Sequence, residues 1–191
     1  MARQRLDRTI PQPGDVHVVA GGPPCQGISG LNQHRLLVDV LRDPKNRLMT
    51  TYMRLVEFLE PNYILMEQVM DIFKNCGGLY VRTAAALLTE MAYQTRTGVL
   101  TAGCYGVAQI RHRVIIWGAR SGREQLPPFP APTHKCIAHA KPMTDDTKAC
   151  YITYTEDAPE SKAHPMVLMG DVLGDLPPVH NFRLREGADY K

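Results

Sequence analysis

One feature constrains the fold more than any other: an apolar run, Val16-His17-Val18-Val19-Ala20, that breaks at once into Gly21-Gly22-Pro23-Pro24-Cys25-Gln26-Gly27-Ile28-Ser29-Gly30. A short β-branched run ending at glycine and proline reads as a buried strand over 15–20, parallel to its neighbours, that opens into a rigid loop. The prolines restrict the backbone before Cys25, and glycines on both sides let a ligand approach closely. A cysteine held this way suits a nucleophile better than a core filler, although a cysteine after a strand is more often buried and inert.

The rest of the chain alternates in the same manner. Residues 21–44 form a long Gly-, Pro- and polar-rich loop, and such loops in compact domains are commonly functional. Leu48, Tyr52, Leu55 and Leu59 recur at helical spacing beside Met49, Met53 and Val56, which predicts a helix over 46–60 that Pro61 and Asn62 stop. Tyr63-Ile64-Leu65-Met66 is a short strand ending at Glu67. A second helix spans 79–92, with Tyr80, Ala84, Leu87 and Met91 on one stripe. Residues 95–101 alternate like a strand, 103–109 turn, and Val114-Ile115-Ile116-Trp117 is a further strand. Strands alternating with helices argue for a doubly wound α/β sheet, in which ligands gather at the carboxyl ends of strands. Cys25 and Glu67 each follow an apolar strand closely, so both fall on that rim. After Ala119 the pattern degrades into a Pro-rich segment (126–134), a polar irregular stretch (138–165) and a short amphipathic piece from Val167 to Leu176.

Charge and cysteine content exclude little but orient the reading. Net charge is +3, divided into +5 over residues 1–130 and −2 over 131–191, a basic front that permits a polyanionic partner without requiring one. Five scattered cysteines without a CxxC pair argue against a disulfide scaffold and for a reducing compartment. His134, Cys136, His139 and Cys150 fit no metal-binding spacing, and no metal is expected. No apolar run approaches a membrane span, and no secretory signal opens the chain, so the protein reads as soluble.

Three groups of residues bear on chemistry: Cys25 on its Gly/Pro loop, Glu67 in Met66-Glu67-Gln68-Val69, and Arg111 and Arg113 in Gln109-Ile110-Arg111-His112-Arg113. Singly each has a plain alternative, an inert thiol, a surface carboxylate, and the solvated face of a strand. Jointly, in this order, they resemble DNA (cytosine-5) methyltransferases: the Pro-Cys catalytic loop, the Glu-Asn-Val motif and the Gln-x-Arg-x-Arg motif. Ala102-Gly103-Cys104-Tyr105-Gly106-Val107-Ala108-Gln109 resembles the family's Ala-Gly-x-Tyr-Gly-x-x-Gln turn. Phe129-Pro130-Ala131-Pro132-Thr133-His134 and Asp175-Leu176-Pro177-Pro178-Val179 favour the plant-type chromomethylase branch over a generic eukaryotic member.

The resemblance implies a Rossmann-like sheet of S-adenosylmethionine-dependent methyltransferases, partial and lacking its first strands. It implies Cys25 as nucleophile at cytosine C6, Glu67 at N3, and Arg111 and Arg113 on the flipped cytosine and its phosphate, with Gln26, Ser29 and Gln109 against DNA. Gly22, Pro23, Pro24 and Leu48 would line the part of the S-adenosyl-L-methionine pocket nearest the sulfur. Double-stranded DNA, chromatin reached through further domains, and a nuclear location follow from the family alone. Residues 1–135 would be the central part of the catalytic domain, and 136–191 would lead towards a target-recognition region. Two departures stand out. Gln68 occupies the family's Asn position, and its extra methylene is expected to misplace the amide that fixes the nucleophile's loop and so weaken catalysis. The Phe-x-Gly-x-Gly cofactor loop is missing upstream, which leaves as alternative a catalytically inactive remnant that binds DNA or a partner methyltransferase.

Overall fold

The computed structural model describes residues 10–24, 47–74, 78–136, 149–152 and 163–176. They fall into two compact units. One takes the chain up to Leu100 with His112–Pro130 and the stretch ending at Ile152; the other takes Thr101–Arg111 with residues 131–136 and 163–176.

The first unit is built on a mixed sheet. In chain order the elements are β1 (Val18–Gly21), α1 (Arg47–Leu59), β2 (Tyr63–Gln68), α2 (Asp71–Lys74), α3 (Leu79–Glu90), β3 (Tyr93–Thr101), β4 (His112–Arg120) and β5 (Tyr151–Ile152). The strands lie in the order β1-β2-β4-β3-β5. β1 runs parallel to β2, with Val18 beside Tyr63 and Gly21 beside Met66, and β3 runs parallel to β5. β4 runs antiparallel to β2, from Tyr63 opposite Ala119 to Gln68 opposite Val114. An antiparallel strand between β2 and β3 was not legible in the alternating pattern. The ladder explains why β2 continues through Glu67 and Gln68, and β4 starts at His112, two residues ahead of the expected Val114 and of its pairing with β2.

The core lies on one face of this ladder. Ile64 and Met66 of β2 and Val114 and Ile116 of β4 are fully buried against Val56, Tyr80, Leu88 and Val99. Each such large aliphatic side chain contributes about 1.5–3 kcal/mol on leaving water. β1 departs from the buried strand expected over 15–20: it begins at Val18, and only Val19 is buried while Val18 and Ala20 are exposed.

Helix α1 is rotated relative to the expected stripe. Tyr52, Met53, Val56 and Leu59 are buried, while Leu48 and Leu55 stay 49% and 46% exposed. The Tyr52 hydroxyl, directed at the carbonyls of Val19 (3.3 Å) and Leu65 (3.2 Å), fixes which face meets the sheet. Burial pushes that hydroxyl's pKa up to about 12, so it remains a donor. Gly21 makes the approach possible, since a Cβ there would stand 2.8 Å from the Tyr52 ring. The helix stops where Glu60 turns left-handed (φ 48°) before Pro61, and the Gly14 N–H caps the Leu59 carbonyl at 2.9 Å. In α3 the buried stripe is Tyr80, Ala84 and Leu88, with Leu87 and Met91 only partly covered. α2 and β5 are too short to leave a periodic signal.

In the second unit, a 3₁₀ turn (Ala102–Tyr105) ends on left-handed Gly106 (φ 87°). The His134 ring fills the space a Cβ at Gly106 would need, 2.8 Å from its Cε1. Thr133 and His134 both donate backbone N–H groups to the Cys104 carbonyl, and His134 bridges His164 with their rings 5.1 Å apart. The amphipathic piece forms a short helix, α4 (Met169–Leu173), with no buried residue. No helix among the described residues is long and apolar enough to cross a membrane.

Candidate active site

The carboxyl end of β2 brings together four of the expected site residues, Gly22, Pro23, Glu67 and Arg113. In an antiparallel ladder, directly opposed residues share a face, and so do residues two apart on one strand. Glu67 lies opposite Ile115, so Arg113 is its diagonal neighbour on that face. The two form an ion pair, Arg113 Nε to Glu67 Oε1 at 2.5 Å, with the side chains 24% and 44% exposed. Arg113 also donates from Nη1 to the His112 carbonyl at 2.8 Å, which steadies the guanidinium. Glu67 is thus a strand residue and not the first residue after the strand, and its direction is set by the ladder.

The other oxygen of Glu67 faces β1. A Cβ placed at Gly22 would stand 3.0 Å from Oε2. Gln68, one residue on, points to the buried face and is 2% exposed. Its Nε2 donates to the Pro23 carbonyl at 2.7 Å. The amide that the extra methylene was expected to displace is thus bonded to backbone just past the end of β1. Gln68 reaches the backbone two residues before Cys25 and bonds it directly, a link worth about 1 kcal/mol net and more to lose once buried. His112 alternates to the face away from Arg113. Its ring meets Tyr151 edge-on at 6.1 Å, and burial pushes its pKa down, favouring neutral imidazole.

Gly22, Pro23, Glu67 and Arg113 thus share one rim. Pro24 follows on the same segment and is exposed. Leu48 stands half exposed in the first turn of α1. Cys25, Gln26 and Ser29 lie outside the described residues, as does His139. Gln109 and Arg111 belong to the second unit, both exposed. Gln109 borders a cleft of about 180 Å³ with Val107, Ile110, Cys136 and Leu168, and the Arg111 carbonyl accepts the Ala102 N–H at 3.0 Å. A larger groove of about 310 Å³ between α1 and α3 is lined by Met49, Met53, Tyr80 and Met91, and none of the expected site residues lines it. Among the described residues no cluster of three or more His, Cys, Asp or Glu side chains is set to hold a metal ion.

Sequence reasoning treated Tyr52 as one more apolar stripe residue and Gln68 as a defect. Both bond backbone carbonyls at and after β1, Tyr52 at Val19 and Gln68 at Pro23. The available signal for Tyr52 was an aromatic with a polar tip in a buried helix stripe, which needs a partner. Towards a cofactor, Gly22 and Pro24 leave exposed backbone at the carboxyl end of parallel β1, where ligands of such sheets sit, and they fit one wall of an S-adenosyl-L-methionine pocket.

This arrangement is that of a methyltransferase fold. A crystal structure described as a DNA modification methyltransferase encoded within a prophage (E. coli) matches 87% of the chain at a TM-score of 0.53 and 22% identity, over 37% of its own length. Residues 2–169 match the family model for C-5 cytosine-specific DNA methylases, and the chain belongs to that family. It is 43% identical over 185 residues to DNA (cytosine-5)-methyltransferase CMT2 of Arabidopsis thaliana, covering 96% of this chain and 14% of that protein. Against Arabidopsis CMT3 the identity is 42% over 181 residues, 95% of this chain and 21% of that protein. Against DNA (cytosine-5)-methyltransferase 3 of Zea mays it is 41% over 186 residues, 97% of this chain and 20% of that protein. The resemblance to the chromomethylase branch is thereby borne out, over about a fifth or less of those relatives' length.

Proposed function

We propose that this segment carries the nucleophile and the ring-activating acid of DNA cytosine-5 methylation. The observation that carries the reading is the Glu67–Arg113 pair, held against Gly22 at the end of the strand that leads to Cys25.

Cytosine C5 is a poor nucleophile within an aromatic ring. The Cys25 thiolate adds to C6, and the displaced ring electrons move towards N3 and O2. Glu67 meets N3 as the protonated carboxyl and donates its proton there as the charge builds, and Arg113 holds the Glu67 side chain in line. C5, now enamine-like, takes a methyl group. S-adenosyl-L-methionine supplies that methyl when bound, with Gly22, Pro23, Pro24 and Leu48 along its sulfur end. Loss of the C5 proton to water, departure of Cys25 as the thiolate and return of the N3 proton to Glu67 restore the ring. The cytosine must first leave the duplex stack. Arg111 and Arg113 face the flipped base and its phosphate, and Gln26, Ser29 and Gln109 contact the DNA backbone. Residues 1–135 form the central part of the catalytic domain and 136–191 lead towards target recognition. A nuclear site of action on chromatin follows from the family. The bond from Gln68 to Pro23 weighs against the alternative of an inactive DNA-binding remnant, because the amide that steadies the loop is in use.

The test uses duplex DNA carrying 5-fluorocytosine, which traps the covalent adduct after methyl transfer. Residues 10–152, exchanged into a complete chromomethylase relative, are expected to give a cofactor-dependent adduct that Cys25→Ser abolishes. A chimera that folds and binds DNA without forming the adduct would overturn the reading.

A further inference from the structure

We propose that Gly22 is a positioning residue for Glu67: the side chain it lacks is the space in which the Glu67 carboxylate lies, so position 22 sets that carboxylate's alignment with Arg113. The inference rests on Glu67 acting at cytosine N3.

The backbone does not require glycine there. Left-handed glycines are found at Gly14, Gly78, Gly106 and Gly122, and Gly22 is not one of them. What it requires is room. A Cβ at position 22 would meet Glu67 Oε2 at 3.0 Å, while the Glu67 backbone oxygen and Cβ, at 3.6 and 4.0 Å, are ordinary contacts. The carboxylate is therefore the tight neighbour. Its other oxygen is engaged by Arg113 Nε at 2.5 Å. The carboxylate lies between a guanidinium on β4 and the bare Cα that follows β1, and a side chain at position 22 requires it to shift by a few tenths of an ångström. Gly21 differs. A Cβ there would stand 2.8 Å from the Tyr52 ring, whose hydroxyl is tied to two strand carbonyls, so crowding at position 21 acts on the fold.

The experiment is a cycle of Gly22→Ala and Glu67→Ala in this chain, followed by urea unfolding and by NMR of the Glu67 carboxyl carbon and the Arg113 Nε–H. With Glu67 present, Gly22→Ala is expected to lower the folding equilibrium constant and to shift both signals. In the Glu67→Ala background it is expected to raise that constant roughly two- to fivefold, because alanine at a compatible backbone position restricts the unfolded chain. Should Gly22→Ala alone fail to fold, recovery of folding in the double variant supports the inference. Equal cost in both backgrounds, a double variant that also fails to fold, or unmoved Glu67 and Arg113 signals would overturn it. None of these readouts needs catalysis. A failed cycle leaves the methylation reading standing, and a missing DNA adduct leaves the contact standing.

Discussion

Strand β4 carries two arginine–glutamate pairs, one at each end, and they differ in a way that burial does not show. At one end Arg120 meets Glu60 at 3.0 Å, the side chains 18% and 54% exposed; at the other Arg113 meets Glu67 at 2.5 Å, 24% and 44% exposed. Exposure is nearly the same, so the neighbours decide their roles. Arg120 also donates to the Glu60 carbonyl at 2.9 Å and lies over the Tyr93 ring at 5.7 Å, while Tyr93 donates to the Pro61 carbonyl at 2.6 Å. Asn62 and Tyr63 close the same end by donating to Glu124. That cluster locks the left-handed turn between α1 and β2. Among the described residues Arg113 locks no turn: it bonds the carbonyl of its own neighbour and pairs with Glu67, whose second oxygen faces Gly22. A paired charge is structural when its partner is bound into the backbone around it, and available for chemistry when its partner faces a loop root.

The comparison is broken hardest at the Arg120 end. Arg120→Ala is expected to cost about 2 kcal/mol in urea unfolding, from the lost charge-assisted hydrogen bond to the carbonyl and the cation–π contact. DNA adduct formation per folded molecule should be unchanged. A cost equal to that of Arg113→Ala would erase the distinction. Next comes Gln68→Asn, which restores the family's residue yet withdraws the amide from Pro23. A loss of about 1 kcal/mol is expected, with a lower adduct rate. A gain in rate would show that the shorter amide fits better than the geometry implies.

What the sequence made legible follows from how local each signal is. The spans of α1, α3, β2 and β3 were readable because their apolar periods lie within one element. The pairing of Glu67 with Arg113 was readable only through the family motifs, since 46 positions separate them and the antiparallel insertion of β4 beside β2 leaves no local trace. The exposure of Leu48 and Leu55 was missed because hydroxyl bonds from Tyr52 to β1 and β2, and not apolar periodicity, choose the buried face of α1. The partner of Gln68 was not legible for the same reason: side-chain length alone does not say where the Pro23 carbonyl stands. Gly22 was read as room for an approaching ligand, and only the position of the Glu67 carboxylate shows a side chain of the protein itself next to that room.

The most direct measurement of the central claim is Glu67→Gln, followed both by urea unfolding of this chain and by 5-fluorocytosine adduct formation in the chimera. The variant keeps the shape of the side chain but not its charge or acidity. Stability should move by no more than about 0.5 kcal/mol, as for a part-exposed ion pair. The adduct rate should fall by roughly a hundredfold or more, the usual contribution of a positioned acid. An unchanged adduct rate would contradict the account, and so would an unfolding cost as large as that of Arg120→Ala.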